Sequence, residues 1–142
     1  MKILSLLFLT IFLGKGCDGD QQQDLKTAVV DYTANTRGFY QHIVIQDQQI
    51  RVSKERGDKN TTTSKISDAD WKILVIEFSK IKLEDLPNLK APTEKRFYDG
   101  AAIGDLKVTY KEQTYESSAF DHGTPPAEIA GLVNKMVSLV KE

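Results

Sequence analysis

Twice along this chain, a stretch whose apolar residues alternate gives way to one in which they recur at helical spacing. A strand turns every second side chain to one face, whereas a helix gathers residues three and four apart. Each pattern buries one side only, so the chain has to lay helices on a sheet. Ala28, Val29, Val30 and Tyr32 suit a strand over 26–33, and Asn35-Thr36-Arg37-Gly38 is a turn signal. Residues 39–46 (FYQHIVIQ) are β-branched and aromatic, Asp47-Gln48 suits a tight turn, and 49–55 alternates through Ile50 and Val52. A loop at Gly57-Asp58 and a short strand over 61–66 follow.

Ser67-Asp68-Ala69-Asp70 then has the chemistry of a helix start, with a hydroxyl to cap backbone N–H groups and acids at the positive end of the dipole. Trp71, Leu74, Val75, Phe78 and Ile81 form one apolar face, and Ile73 and Ile76 widen it, which predicts a well-buried helix ending before Pro87. Residues 83–104 contain Pro87, Pro92, Gly100 and Gly104 and are expected to be a long connection, extended near 95–98. Leu106, Val108 and Tyr110 alternate with Lys107, Thr109 and Lys111 in a half-buried strand. A turn at Glu112-Gln113, a return strand over 114–120 and a loop over 121–124 follow. Pro126 opens a last helix with an apolar stripe of Ile129, Leu132, Val133, Met136, Val137 and Val140. The expected fold is α+β: an antiparallel sheet with both helices packed on one face, in hairpin–helix–hairpin–helix order.

The N-terminus follows a different logic. Lys2 precedes an apolar run over 3–13, followed by Gly14, Lys15, Gly16 and Cys17. A charged start, a short apolar stretch and small residues at a cleavage point are the layout of a secretory signal, and the run is far short of the ~20 residues of a membrane span. Cys17 is the sole cysteine, so an intramolecular disulfide is excluded. Leu13-Gly14-Lys15-Gly16-Cys17 resembles the lipobox of bacterial lipoproteins, and the acidic Cys17-Asp18-Gly19-Asp20 is similar to the Bacteroidetes type. That resemblance implies cleavage between Gly16 and Cys17, acylation (palmitate) of Cys17, and a membrane anchor in the bacterial cell envelope; plain secretion is the alternative. Residues 1–16 are then a signal peptide, 17–25 a lipidated tether, and 26–142 a single domain.

Losing Lys2 and Lys15 takes the formal charge from −1 to −3, which offers no basic footprint for nucleic acid. The chain has no HExxH, no cysteine pair, no GxSxG and no phosphate loop. A competing reading builds an envelope hydrolase or metal-dependent enzyme on His42, Asp121 and His122; otherwise they are a strand residue and two loop residues. Ser117 and Ser118 are expected to face solvent from a strand. No cofactor and no metal are called for, and the chain is expected not to be an enzyme.

Arginine and aromatic residues cluster twice, as Arg37, Phe39 and Tyr40 and as Arg96, Phe97 and Tyr98. Such residues are enriched in interface cores, which makes Arg37, Phe39, Tyr40, Arg96 and Tyr98 a candidate binding surface for a protein partner. The alternative places Phe39 and Phe97 in the core and leaves the arginines in water. Thr36-Arg37-Gly38-Phe39 at a hairpin, the Trp71 helix, Gly104-Asp105-Leu106-Lys107-Val108 and the Pro126-led helix are together similar to emfourin-type inhibitors of thermolysin-like metalloproteases, and to related domains of unknown function, over residues 26–140. That resemblance implies inhibition by binding, with no catalytic residue. The expected role is a membrane-anchored binding module, with a scaffold subunit as a further alternative.

Overall fold

The computed structural model describes residues 23–57 and 59–140; Gly16 and Cys17 lie outside them. Among the described residues, seven strands form one antiparallel sheet: β1 (Val29–Thr36), β2 (Phe39–Gln46), β3 (Gln49–Glu55), β4 (Lys59–Lys65), β5 (Ile103–Tyr110), β6 (Gln113–Glu116) and β7 (Phe120–Asp121). The order is β4-β3-β2-β1-β5-β6, and β7 pairs with the start of β5. Two helices, α1 (Asp68–Ser79) and α2 (Ala127–Ser138), lie on one face. The α+β architecture expected from the sequence is the one observed.

Register follows from alternation. Val30, Tyr32, Ala34, Ile43, Ile45, Ile50, Leu106 and Val108 turn towards the helices and are buried. The other face carries Asp31, Thr33, His42, Arg51, Asp105 and Lys107, the polar phase of the same strands. Both Asp47–Gln48 and Lys111–Glu112 have φ near +60°, the two-residue turn whose twist matches paired strands. The second turn sits one residue earlier than expected, because Gln113 already pairs with Tyr110.

Ser67 caps α1, its hydroxyl accepting from the Asp70 N–H at 3.1 Å. Lys135 of α2 reaches back to Asp70 at 2.8 Å, and any side chain at Gly131 would run into Glu77, so the helices pack closely. Only Leu74 and Phe78 of α1 are buried within it, with Ile81 just beyond. The broad apolar face is narrower than expected: Ile73 and Ile76 are exposed and Trp71 is half-buried against the core, because α1 rests one stripe on its neighbours.

Four further expectations are corrected. The folded part begins before Lys26: Leu25 is buried, and Gln23 donates to the carbonyls of Phe78 (3.0 Å) and Ile81 (2.8 Å). Residues 95–98 form a tight 3₁₀ turn rather than an extended stretch. Strand β5 begins at Ile103, within the expected connection. The return strand breaks after Glu116, since buried Ser117 spends its hydroxyl on the Leu106 N–H at 3.0 Å and Ser118 donates to the Pro87 carbonyl.

Candidate functional site at the loop end of the sheet

The β1–β2 turn, the 3₁₀ turn Lys95–Tyr98, strand β7 and the C-terminal end of α2 gather at one end of the sheet. Asp121 organises it. Its carboxylate is fully buried and accepts four hydrogen bonds, from Thr93 Oγ1 (2.5 Å), Lys95 N (2.7 Å), Arg96 N (3.0 Å) and the Arg96 guanidinium (3.0 Å). Burial opposes its charge, but those donors outweigh it and hold the carboxyl far below the usual carboxylate range.

This clamp fixes a turn whose rings face water. Phe97 is 71% and Tyr98 69% exposed, whereas the Arg96 side chain is 11% exposed. The Arg96 guanidinium lies 4.4 Å from the Phe97 ring centroid, so it anchors that ring while paired with Asp121. Asp99 ends the turn at φ 62°, and the Gly100 N–H closes it on the Lys95 carbonyl at 2.7 Å.

Beside β7, rings run from core to surface. Phe120 stacks on Tyr32 (centroids 6.1 Å), Tyr32 meets His122 (5.8 Å), and His122 meets Phe39 (5.4 Å). Gly104 makes room for them: a Cβ there would fall 2.9 Å from both Tyr32 Oη and Phe120. Burial, helped by the charge of Asp105, pushes the Tyr32 phenol well above its ordinary value, so it stays protonated. The buried hydroxyl shares a hydrogen bond with His122 Nδ1 at 2.6 Å, and the tautomer of the ring sets which of the two donates. Burial lowers the His122 pKa, which favours the neutral ring.

His122 and Phe39 also line an open cleft of about 420 Å³, with Gln41 and Lys54 from the sheet and Val137 and Val140 at the end of α2. Gln41 is only 8% exposed, and its Oε1 has no hydrogen-bond partner among the described residues.

The five candidate surface residues therefore divide. Arg37 is exposed on the β1–β2 turn and Phe39 is partly exposed over His122. Tyr40 is half-buried under the Arg56 guanidinium (5.5 Å to the ring centroid), and Tyr98 is open. Arg96 leaves the surface, because its charge is committed to Asp121. Phe97 is corrected from core to surface, since the turn that carries it is fixed by backbone and arginine rather than by its ring. The sequence offers Asp121 only as a member of a possible enzyme site and not as the clamp of this turn, and it does not single out Gln41. Gln41 was detectable as an amide in the inward phase of Ile43 and Ile45; Asp121 had no local signal.

His42, Asp121 and His122 do not converge. His42 lies on the polar face, bonded to Asp31 at 2.9 Å, whereas Asp121 is saturated by the turn and His122 lines the cleft. Among the described residues, no group of three or more His, Cys, Asp or Glu side chains is placed to hold a metal ion. Also on the polar face, burial, a hydrogen bond with Glu116 and the charges of Glu116 and Asp31 push Asp105 up to about 7. No protein-family model matches the chain, and no curated protein or solved structure does.

Proposed function

We propose that this chain is a tethered, non-enzymatic binding module that presents its loop end to a protein partner. Its tether is the Cys17 lipid anchor in the bacterial envelope that the signal layout implies. The observation that carries the proposal is the pairing of a saturated, buried Asp121 with two open rings on the turn it holds. A fully bonded buried carboxylate fixes the backbone, so Phe97 and Tyr98 lose little further freedom on binding. Aromatic rings held in this way are the usual anchors of an interface. The finer version is inhibition of a thermolysin-like protease, with Arg37 and Gly38 on the exposed turn as the inserted element; it is favoured by that turn lying at the same end.

The test is co-purification from mildly solubilised membranes of the host, with wild type beside a Phe97→Ala/Tyr98→Ala double variant. A stoichiometric partner held by wild type and lost from the double variant is expected. Equal retention by both refutes the tip as the binding element. Cys17→Ser is expected to leave the membrane fraction, and unchanged partitioning overturns the anchor. Titration of thermolysin with the protein decides the finer version, which fails if the protease keeps full activity at excess inhibitor.

A further inference from the structure

Gln41 is the residue the fold leaves unexplained. It occupies the inward phase of β2, among positions filled by isoleucine, and its buried Oε1 receives no hydrogen bond from the described residues. An unmet acceptor in such a place costs about 1–3 kcal/mol, and replacing it by an apolar side chain removes that cost. Groups kept against stability in this way cluster at binding sites. Gln41 lines the cleft, so a ligand seated there is placed to supply the missing donor.

The remaining walls define the ligand. Phe39, Val137 and Val140 are apolar. Burial favours neutral His122, its Nδ1 is paired with Tyr32, and the tautomer in which the Tyr32 hydroxyl donates carries the ring proton on Nε2. Lys54 is already engaged within the fold, and Asp121 is spent on the 95–98 turn. Among the described residues, no uncommitted charge therefore faces the cleft, and a neutral ligand fits it. Gln41 Oε1 asks for an N–H, while the imidazole N–H offers itself to a carbonyl. An N–H and a C=O beside an apolar group are what one residue of a peptide chain carries. The volume, about 420 Å³, falls within the ~300–1,000 Å³ of ordinary ligand sites.

We infer that the cleft between the start of β2, His122 and the end of α2 receives an apolar residue of a peptide segment, with Gln41 pairing to its backbone amide. The inference rests on the binding-module proposal for the nature of the partner, but it fails separately, because the cleft does not include Phe97 or Tyr98.

The experiment is an amide-detected NMR titration of the full chain in lipid nanodiscs. Two probes share a ring: N-acetyl-phenylalanine methylamide carries the amides, and propylbenzene lacks them. The amide probe is expected to shift Gln41, His122 and Val137 saturably. Gln41→Leu is expected to weaken that probe at least tenfold while leaving propylbenzene unchanged or tighter. Phe97→Ala/Tyr98→Ala is expected to change neither by more than twofold, so loss of the tip activity alone leaves the cleft standing. Gln41→Leu is also expected to melt at or above the wild-type temperature, because it removes an unbonded buried amide. Absence of a saturable shift at the cleft, or equal effects of Gln41→Leu on both probes, overturns the inference. A clear fall in melting temperature does so as well, since it means that Gln41 has a partner within the fold.

Discussion

Arg37 and Arg96 each stand ahead of two aromatic residues, and the fold treats the two groups in opposite ways. In the first, the arginine is exposed, while Phe39 rests on His122 and Tyr40 under Arg56. In the second, the arginine is buried on Asp121, and Phe97 and Tyr98 stand in water. The difference is where the charge finds its partner. The β1–β2 turn offers Arg37 no buried carboxylate among the described residues, so the rings take what cover the sheet provides. The 3₁₀ turn has Asp121 beneath it, so the charge goes in and the rings come out. Aromatic character therefore does not decide burial here; the placement of one acid does.

The largest expected effect breaks the second group. Asp121→Ala strands the Arg96 guanidinium and the backbone N–H groups of Lys95 and Arg96. Removing one member of a buried charged pair costs about 3–5 kcal/mol, to be read from urea unfolding. A loss below about 1 kcal/mol means that the turn holds without the clamp.

The next tests the first group. Gly104→Ala puts a Cβ against Tyr32 and Phe120 and displaces the rings that seat His122 and Phe39. Overpacking of this kind costs about 1–3 kcal/mol, and the His122 resonances are expected to shift. Wild-type stability and spectra would show that the column tolerates the insertion.

A smaller effect sharpens the role of the partnered acid. Asp121 has four donors, whereas Asp105 faces Glu116 and Asp31 and is pushed up to about 7. Between its unfolded value near 4 and about 7, the folded state holds the extra proton, so stability falls as pH rises through that window and levels off above it. Asp105→Asn is therefore expected to stabilise the domain at pH 8, by about 1 kcal/mol after solvent screening, and to change little at pH 4. Equal effects at both pH values refute the assignment.

The smallest concerns the open rings. Phe97→Ala/Tyr98→Ala is expected to stay within about 0.5 kcal/mol of wild type in thermal unfolding, as exposed substitutions do. A larger loss places those rings in the fold rather than on a binding surface.

The sheet, its helices and the Ser67 cap were legible because they rest on local alternation, helical spacing and capping chemistry. Ile73 and Ile76 misled, since hydrophobicity without knowledge of the neighbouring elements overstates the buried face of a helix. Phe97 misled in the same way. The Asp121 clamp was not legible at all, because its partners lie 25 to 28 residues upstream in a segment without periodicity. Gln41 stood in plain view as a polar residue in an apolar phase; only the cleft beside it gave that meaning.

The most direct test of the loop end as the working surface is site-specific photo-crosslinking in the native host. A photoreactive phenylalanine analogue at position 98 is compared with one at position 76, an exposed apolar site on α1. A discrete protein adduct from position 98 and none from position 76 is the predicted result. No adduct from position 98, or the same adduct from both, would contradict it.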